Sequence, residues 1–295
     1  MLDLPANPKG SVMTTLMLPR PALDEGRFAS IPVFTDDALF ESCGVRIAFT
    51  TREGGVSSGP YESLNLGSAV DDEPSSVEAN RKLLVSALVP DLHRSLDEIL
   101  VVPKQVHGNK ALTIESTSHI ATVQAEADKG ADAIIVARQE VAALLCFADC
   151  VPVIIVLPTG RFAVVHAGWR GVENEITAKT LKLMLDQEIH ASGHQAQELL
   201  AYTNIYIGAH IHRECFETNA DVHELFTAKF GEGCSFDRSH IDLGAALRTQ
   251  LFRVGVDLTR VCDLDQCSVC NNDHFFSFRA QDGVAGRHGA IAIRR

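Results

Sequence analysis

The sequence predicts a single domain of the α+β class (mixed α/β), in which mixed β-sheets pack with several helices. Short apolar runs rich in branched residues recur from residue 44 onwards, and patterns with helical periodicity lie between them. The chain has 295 residues, of which 46% are hydrophobic, enough for one large core or two small ones. It shows no internal repeat, low-complexity tract or linker, so one domain is the economical interpretation.

The first 42 residues are predicted to be an N-terminal extension, and residues 43–295 a single domain. Residues 1–42 carry scattered prolines and show no clear periodicity. The domain begins with a strand at residues 44–51, which leads into a glycine-rich loop at Arg52. An arginine that leaves a strand into such a loop is a candidate anion clamp, and a plain surface turn is an equally good interpretation.

The remaining elements follow from periodicity and from cap signals. Pro74 is typical of the first turn of a helix, Asp242 of a helix N-cap and Gly255 of a helix end. Helices are predicted at residues 75–88, 172–187, 219–230 and 242–254. Strands are predicted at residues 44–51, 99–102, from 111, and at 131–136, 141–147, 150–157, 163–166, 202–208, 275–279 and 286–293.

Two of these strands are central to the functional hypothesis. The run that begins at Cys150 is joined to the run that ends at His166 by a tight turn at residues 158–160, which predicts an antiparallel hairpin. Such a hairpin brings a thiol and an imidazole close together. A Cys–His pair in a glycine-rich setting is suited to nucleophilic or metal chemistry.

The charge balance excludes several classes of partner. With 38 acidic against 26 basic side chains, the net charge is −12, which disfavours broad binding to nucleic acid or to anionic membranes. A local basic pocket is compatible with this charge. No apolar run approaches the roughly 20 residues that span a bilayer, and no signal peptide is evident. We therefore expect a cytoplasmic protein.

Eight cysteines and 12 histidines offer further ligands. Without a signal peptide, the cysteines are expected to be thiols or ligands rather than disulfides. His107 precedes a glycine at the edge of a strand. With Cys150 and His166 it makes a candidate zinc set of three protein ligands, which leaves one position for water or substrate. On spacing alone, a metal site is a weaker interpretation of these residues than a catalytic Cys–His dyad.

Several motifs, in chain order, resemble the laccase-domain, YfiH-like family. The resemblance extends from about residue 45 to the C-terminus and leaves only the N-terminal extension outside it. It rests on FTTREGGVS at residues 49–57, SLNLG at 63–67, QVHG at 105–108, ADC at 148–150, VHAGWRG at 165–171, FSFR at 276–279 and GR at 286–287.

The resemblance implies a four-layer αββα fold with mixed sheets and a zinc site made by His107, Cys150 and His166. It also implies a purine nucleoside enzyme. The implied reactions are phosphorolysis of adenosine, inosine, guanosine and methylthioadenosine to the base and a (methylthio)ribose 1-phosphate, and deamination of adenosine. The implied partners are therefore small molecules, purine nucleosides and phosphate.

Other residues of these motifs are candidates for the reaction. Arg52, Arg170 and Arg279 are candidate phosphate ligands, because guanidinium groups bind phosphate in a fork. Asp149 is a candidate proton acceptor or hydrogen-bonding partner in the site, and the alternative is a turn-forming Asp before a strand. Trp169 either forms part of the wall of a purine pocket or packs in the core.

A second candidate metal site lies near the C-terminus. Cys262, Cys267, Cys270 and His274 place four potential ligands in thirteen residues, a spacing that resembles a structural zinc knot. The family's core site does not require them, and packing beneath Phe275 is the alternative.

Two other activities compete with the nucleoside enzyme. A copper-dependent, laccase-like polyphenol oxidoreductase needs about ten His and Cys ligands. This sequence has one His-x-His, at His210 and His212, and no Met beside the proposed ligands. Copper at the predicted zinc set would still allow a weak, secondary phenol oxidation. The other alternative is a hydrolase with Cys150 as nucleophile and His166 as base. If the protein is instead a non-enzymatic scaffold, we expect no turnover of any nucleoside.

Overall fold

The computed structural model describes residues 17–91 and 93–295. The strands are β1 (Asp24–Phe28), β2 (Ile31–Thr35), β3 (Val45–Thr50), β4 (Leu100–Val101), β5 (Ala111–Ile114), β6 (Ala133–Val136), β7 (Ala142–Phe147), β8 (Val151–Val156), β9 (Phe162–Ala167), β10 (Asn204–Ile207), β11 (Val261–Asp263) and β12 (His288–Arg294). The helices are α1 (Asp37–Cys43), α2 (Pro74–Leu88), α3 (Leu96–Ile99), α4 (Ile120–Ala127), α5 (Trp169–Glu173), α6 (Ile176–Ser192), α7 (Ala196–Ala201), α8 (Ala220–Phe230) and α9 (Leu243–Arg253). Over these residues, no helix has the length and apolar character that crossing a membrane requires.

Within the described residues the strands form two mixed sheets of six strands each. The order in the first sheet is β1-β2-β3-β12-β7-β4, and in the second sheet it is β11-β10-β8-β9-β6-β5. Most neighbours are antiparallel, whereas the pairs β4–β7, β5–β6 and β10–β11 are parallel. Both sheets are therefore mixed, as predicted.

The two sheets pack face to face between two layers of helices. Side chains alternate across β7, so that Leu145 faces the second sheet while Leu144 packs with α2 on the outer side. Strand β8 alternates in the same way: Ile154 faces the first sheet, and Val153 packs with α6, α8 and α9. The layers are thus helix, sheet, sheet and helix, which confirms the predicted four-layer αββα fold.

The folded domain begins earlier than the sequence predicts. Residues 24–43 form β1, β2 and α1, and β2 pairs with β3 through Val33↔Thr50 and Phe34↔Phe49. Leu39 is fully buried in the core between the sheets. These strands have five residues each, too few to show a clear period in a stretch with several prolines. Residues 1–16 of the predicted extension lie outside the described residues.

Two other segments differ from the prediction. Residues 275–279 form a loop that leads into a turn rather than a strand. Ser277 accepts two hydrogen bonds there, its carbonyl oxygen from Gln281 N at 3.1 Å and its hydroxyl from Ala280 N at 3.0 Å. The helix predicted at 172–187 is split into α5 and α6 at Glu175, whose φ of 58° interrupts the helical path. The short elements α3, α4, α7 and β11 were not predicted.

Candidate metal centre and adjoining cavity

Three side chains from separate parts of the chain converge in the structure. One donor atom each of His107, Cys150 and His166 lies within 4.8 Å of the other two. The centroids of the two imidazole rings are 4.8 Å apart, and the rings are at 82° to each other. His166 is buried, Cys150 is half-buried and His107 is exposed. The cluster is therefore open to solvent on the side of His107.

The β8–β9 hairpin places two of these donors. Its register pairs Val151 with Ala167 and Pro152 with His166. Cys150 directly precedes β8, so its thiol lies beside the end of β9. Gly160, with a φ of 83°, closes the turn predicted at residues 158–160. The predicted antiparallel hairpin is present.

His107 reaches the site from the loop between β4 and β5. Its backbone has a φ of 57°, an uncommon conformation for a residue with a side chain. The buried carboxylate of Asp132 holds this loop, because its oxygens accept hydrogen bonds from the backbone N–H groups of His107 at 2.9 Å and Gly108 at 2.8 Å. Asp132 directly precedes β6, so the sheet fixes the loop.

Asp132 also orients His166. Its Oδ1 lies 2.9 Å from Nδ1 of His166, which leaves Nε2 of that ring available to a ligand. Burial alone would raise the pKa of Asp132, but hydrogen bonds from His166, Gly108 and His107 hold it below its usual value. One ionised carboxylate therefore positions both histidines.

The surroundings of the Cys150 thiol lower its pKa. Burial opposes its ionisation, but the positive charge of His166 and the hydrogen bonds from His107 and His166 outweigh burial and lower the pKa of Cys150 to about 6. Burial likewise disfavours a charged His166, yet the Cys150 thiolate and Asp132 raise the pKa of this imidazole to about 9. Both shifts favour a thiolate beside an imidazolium. A metal cation would take the place of the proton.

The donor set and its surroundings fit a zinc ion. One thiolate and two imidazoles are ligand types that zinc prefers, and three protein ligands leave a position for water or substrate. Gly168 provides the space, since a Cβ built there would lie 3.0 Å from Cδ2 of His107 and 3.1 Å from Sγ of Cys150. The same donors also suit copper, so the donor set alone does not select between the two metals.

The three donors open into a cavity of about 740 Å³. This volume lies within the range of roughly 300–1,000 Å³ that is typical of small-molecule sites. Ile211, Phe216 and Phe278 form an apolar part of the wall. The cavity is therefore large enough for a nucleoside-sized molecule and offers flat apolar surfaces to it.

The cavity wall also carries basic side chains. These are Arg81, Lys104, Arg279 and Arg287. The same lining has two acidic residues, Asp128 and Asp149, so basic residues are in excess there. In a protein with a net charge of −12, this local excess of positive charge is compatible with an anionic ligand. Burial lowers the pKa of Arg287, which is half-buried in this wall.

Of the three arginines predicted as phosphate ligands, Arg279 lies on the cavity wall, and Arg52 and Arg170 do not. Arg52 donates to two backbone carbonyl oxygens at 2.9 and 2.7 Å and so ties loops together. Arg170 is exposed, and its guanidinium lies 4.1 Å from the ring centroid of Trp169. Trp169 itself packs against the core of the second sheet. The structure therefore does not bring the three arginines together.

Asp149 lies on the cavity wall directly before Cys150. It has a φ of 91°, and both of its carboxylate oxygens accept hydrogen bonds: Oδ1 from the Ser268 hydroxyl and Oδ2 from the Arg279 backbone N–H, each at 2.7 Å. Asp149 thus connects the start of β8 to the C-terminal loop. Its role as a proton acceptor stays a prediction.

The second predicted metal site has different donors in the structure. Three thiols and a carboxylate cluster there: Glu214, Cys215, Cys267 and Cys270. Cys262 lies in β11 and packs against the core between the sheets. His274 is exposed, with its Nδ1 3.2 Å from Glu53. The structure therefore groups Cys267 and Cys270 with Glu214 and Cys215, and it does not group them with Cys262 or His274.

Several residues of the site were not predicted. Asp132 had one signal, an acidic residue at the start of an apolar strand, where a charge requires partners. Arg81 lies within a predicted helix, where a basic residue is typical of a solvent-facing position. Arg287 lies in a motif that carries the family resemblance, but no local pattern indicated that it faces the cavity.

Comparison with known proteins gives consistent similarities. A family model described as multi-copper polyphenol oxidoreductase laccase matches residues 46–295. The purine nucleoside phosphorylase YfiH of Shigella flexneri is 32% identical over 250 residues, which cover 83% of this chain and 91% of that protein. The purine nucleoside phosphorylase YlmD of Geobacillus stearothermophilus is 31% identical over 264 residues, 85% of this chain and 91% of that protein.

Two solved structures have the same architecture. The crystal structure of YlmD from Geobacillus stearothermophilus superposes with a TM-score of 0.74 at 29% identity, over 86% of this chain and 93% of that one. The crystal structure of the hypothetical protein YfiH from Bacillus licheniformis gives a TM-score of 0.75 at 25% identity, over 90% and 97%.

Proposed function

The chain belongs to the multi-copper polyphenol oxidoreductase laccase family, and we propose that, within this family, it is a zinc-dependent purine nucleoside phosphorylase. Relatives that are named purine nucleoside phosphorylases support an enzyme of that type. The proposed substrates are phosphate and adenosine, inosine, guanosine or methylthioadenosine. The observation that carries the proposal is a single cavity that holds the donors His107, Cys150 and His166 together with a group of basic side chains.

Phosphorolysis requires both reactants to be held side by side. An oxygen of phosphate forms a bond to C1′ of the ribose, the bond from C1′ to N9 of the purine breaks, and the purine leaves with the electron pair and takes up a proton. Holding two reactants in a productive orientation lowers the barrier without a nucleophilic side chain. The cavity must therefore contain an anion site and a purine site.

Arg81 and Arg287 are the proposed phosphate ligands. Nε of Arg81 donates to the carbonyl oxygen of Leu66 at 2.9 Å, and Nη1 of Arg287 donates to that of Gly286 at 2.9 Å. These partners are neutral, so they fix both guanidinium groups without cancelling their charge. Guanidinium groups held in this way are well suited to bidentate binding of phosphate.

Phe216 and Phe278 are the proposed partners of the purine ring. Both side chains lie on the cavity wall, and 52% of the Phe278 surface is exposed. Stacking of a nucleic-acid base on an aromatic ring contributes about 1–3 kcal/mol. This contact depends on the flat face of the base, so it suits several purines equally.

Zinc held by His107, Cys150 and His166 would supply Lewis-acid chemistry beside the purine. Asp132 supports this set by keeping Nδ1 of His166 engaged, so that Nε2 faces the site. A second proposed reaction is adenosine deamination, in which water adds at C6 and ammonia leaves. Asp149, on the same wall, is its proposed proton acceptor.

Copper-dependent polyphenol oxidation, which the family description names, is the weaker alternative. A blue copper site commonly adds a weak axial Met to two His and one Cys, and a multicopper oxidase needs many more histidines. Of the predicted His-x-His pair, His210 is buried and its Nδ1 lies 2.9 Å from the carbonyl oxygen of Gly208. Neither His210 nor His212 belongs to a donor cluster among the described residues.

The test is chromatography of adenosine incubated with the zinc-loaded protein, with and without phosphate. Adenine and ribose 1-phosphate that appear only with phosphate support phosphorolysis, and inosine supports deamination. Adenosine that remains unchanged in both mixtures would contradict the proposal.

Matched variants connect the activity to the site. His107→Ala and Cys150→Ser should lose turnover, whereas His119→Ala, an exposed histidine away from the cavity, should keep it. Protein that is stripped of zinc and stays fully active would contradict the role of the metal. That result would favour Cys150 as a nucleophile with His166 as its base.

A further inference from the structure

A cluster outside the proposed active centre contains three thiols and one carboxylate. It consists of Glu214, Cys215, Cys267 and Cys270, whose donor atoms all lie within 4.8 Å of one another. We call this group the three-thiol cluster. The proposed phosphorylase chemistry uses none of these four side chains.

The topology of the second sheet brings the cluster together. Strands β10 and β11 are parallel, with Ile205 opposite Val261 and Ile207 opposite Asp263. The chain therefore leaves both strands at the same edge, and the two following loops run side by side. One loop carries residues 214–215 and the other carries residues 267–270. The β-bridge between His210 and Cys267 extends the register into these loops.

The separations suit a tetrahedral metal ion. Sγ of Cys215 and Sγ of Cys270 are 3.5 Å apart. Four ligands around zinc, with Zn–S bonds of about 2.3 Å, lie about 3.8 Å from each other in tetrahedral geometry. A disulfide requires about 2.05 Å, so the two sulfurs are at a distance typical of shared ligation rather than of a covalent bond.

The environment of the thiols also fits ligation. The backbone N–H of His212 donates to Sγ of Cys267 at 3.4 Å, a contact that orients this sulfur. The guanidinium of Arg279, bonded to the carbonyl oxygen of Cys215 at 2.9 Å, places a positive charge near the cluster. Cys267 is buried, Cys215 is half-buried and Cys270 is exposed, which provides an entry path for an ion.

We propose that Cys215, Cys267 and Cys270, with Glu214 as the fourth ligand, bind a structural zinc ion. Thiolates with one carboxylate form a closed donor set, with every position supplied by the protein. The site is distinct from the set of His107, Cys150 and His166, and the proposal does not depend on the proposed function.

The position of the cluster gives the ion a structural role. Ser268 lies between two of the cysteines and donates to Oδ1 of Asp149 at 2.7 Å. The backbone N–H of Arg279, from the same C-terminal loop, donates to Oδ2 of Asp149 at 2.7 Å. An ion that clamps residues 267–270 to residues 214–215 therefore also holds the wall of the cavity beside Cys150.

The test is metal content by mass spectrometry of the full chain, expressed with zinc and dialysed against metal-free buffer that contains a reductant. We expect about two zinc ions per chain in the wild type, about one in Cys267→Ser/Cys270→Ser and about one in Cys150→Ser. Cys262→Ser is the matched control, because this half-buried thiol lies in the same segment and outside the cluster. It should retain both ions.

A wild type that binds one ion, all of which is lost in Cys150→Ser, would overturn the proposal. Cobalt(II) binding gives a second measurement, which does not depend on whether Cys267→Ser/Cys270→Ser folds. In the Cys150→Ser background, thiolate-to-cobalt charge-transfer absorption can arise only from another thiolate site. It should persist there and fall when Cys215→Ser is added. Absence of this absorption in Cys150→Ser would likewise refute the site, whatever the outcome of the nucleoside assay.

Discussion

Oδ1 of Asp132 lies 2.9 Å from Nδ1 of His166. The same oxygen accepts a hydrogen bond from the backbone N–H of His107 at 2.9 Å. One buried carboxylate therefore sets the ring orientation of one proposed ligand and the loop conformation of the other. The two histidines are coupled through Asp132 as well as through any metal that they share.

Asp132→Asn should weaken zinc binding while keeping the size of the side chain. An amide has no negative charge and one acceptor oxygen, so it cannot hold both His166 and the 107–108 backbone as the carboxylate does. We expect metal affinity to fall by about 10- to 100-fold, the usual effect of losing such a partner. Competition with a chromophoric chelator measures it.

Asp97→Asn is the control for that substitution, since Asp97 is exposed on α3. Its zinc affinity should equal that of the wild type. If Asp132→Asn also retained wild-type affinity, Asp132 would not be a positioning residue for the two histidines.

Gly168→Ala should damage the same site by crowding. The φ of Gly168 is −66°, which alanine adopts readily, so the effect comes from the Cβ at 3.0 Å from His107 and 3.1 Å from Cys150. A displacement of about 1 Å in a catalytic group costs up to about 100-fold, and we expect kcat/KM to fall by roughly 10- to 100-fold. Gly233→Ala, where a Cβ meets no atom within 4 Å, should leave it unchanged. Equal kinetics for the two variants would argue against a crowded site at Gly168.

Arg287→Gln should raise the KM for phosphate more than the KM for the nucleoside. A hydrogen bond to a charged group contributes about 1.5–3 kcal/mol, which corresponds to about a 10- to 150-fold change. Arg253→Gln is a suitable control, because Arg253 is exposed, lies off the cavity wall and, like Arg287, donates to backbone carbonyl oxygen through its guanidinium. A larger effect on the nucleoside than on phosphate would assign Arg287 to the other half of the cavity.

Local patterns predict those parts of the site that are close in sequence. The strand of Cys150 and the strand of His166 are joined by a short turn, so the hairpin and the meeting of the two side chains follow from periodicity and turn chemistry. Convergence of His107 required a family resemblance, since periodicity does not set the distance between a loop and a remote hairpin. Asp132 was not predicted as a site residue, because its partners include backbone groups that only the fold brings close to it.

The arginines show the same limit. Arg52 follows a strand and enters a glycine-rich loop, as an anion ligand would, yet its donors are used by carbonyl oxygens of neighbouring loops. Arg81 lies on a helix with no such signal and faces the cavity. Whether an arginine meets a ligand or a loop depends on which distant segments pack beside it. The short strands β1 and β2, at one end of the first sheet, were missed for a related reason. Pairing of β1 with β2 and of β2 with β3 stabilises them more than their own sequence does.

His288 begins β12 and is only 2% exposed. Its ring lies 6.4 Å from that of Phe147 and 5.4 Å from that of Phe275, between centroids. Burial disfavours the imidazolium, and the positive charges of Arg287 and Arg52 oppose it further, so the pKa of His288 falls to about 3. The folded protein therefore keeps this side chain neutral under mildly acidic conditions.

This depressed pKa predicts an acid-dependent loss of stability. Above about pH 6.5, the pKa of a histidine in the unfolded chain, His288 is neutral in both the folded and the unfolded state. Below this pH, the unfolded chain binds a proton at His288 that the folded chain excludes. The free energy of unfolding therefore falls as the pH drops from 6.5 towards 3. At about pH 5 the contribution is roughly 2 kcal/mol. Urea unfolding at about pH 7.5 and about pH 5 should show His288→Leu losing roughly 2 kcal/mol less than the wild type. His119→Leu, at an exposed position, should follow the wild type. If His288→Leu and the wild type lost the same free energy of unfolding, His288 would be protonated equally in the folded and unfolded states.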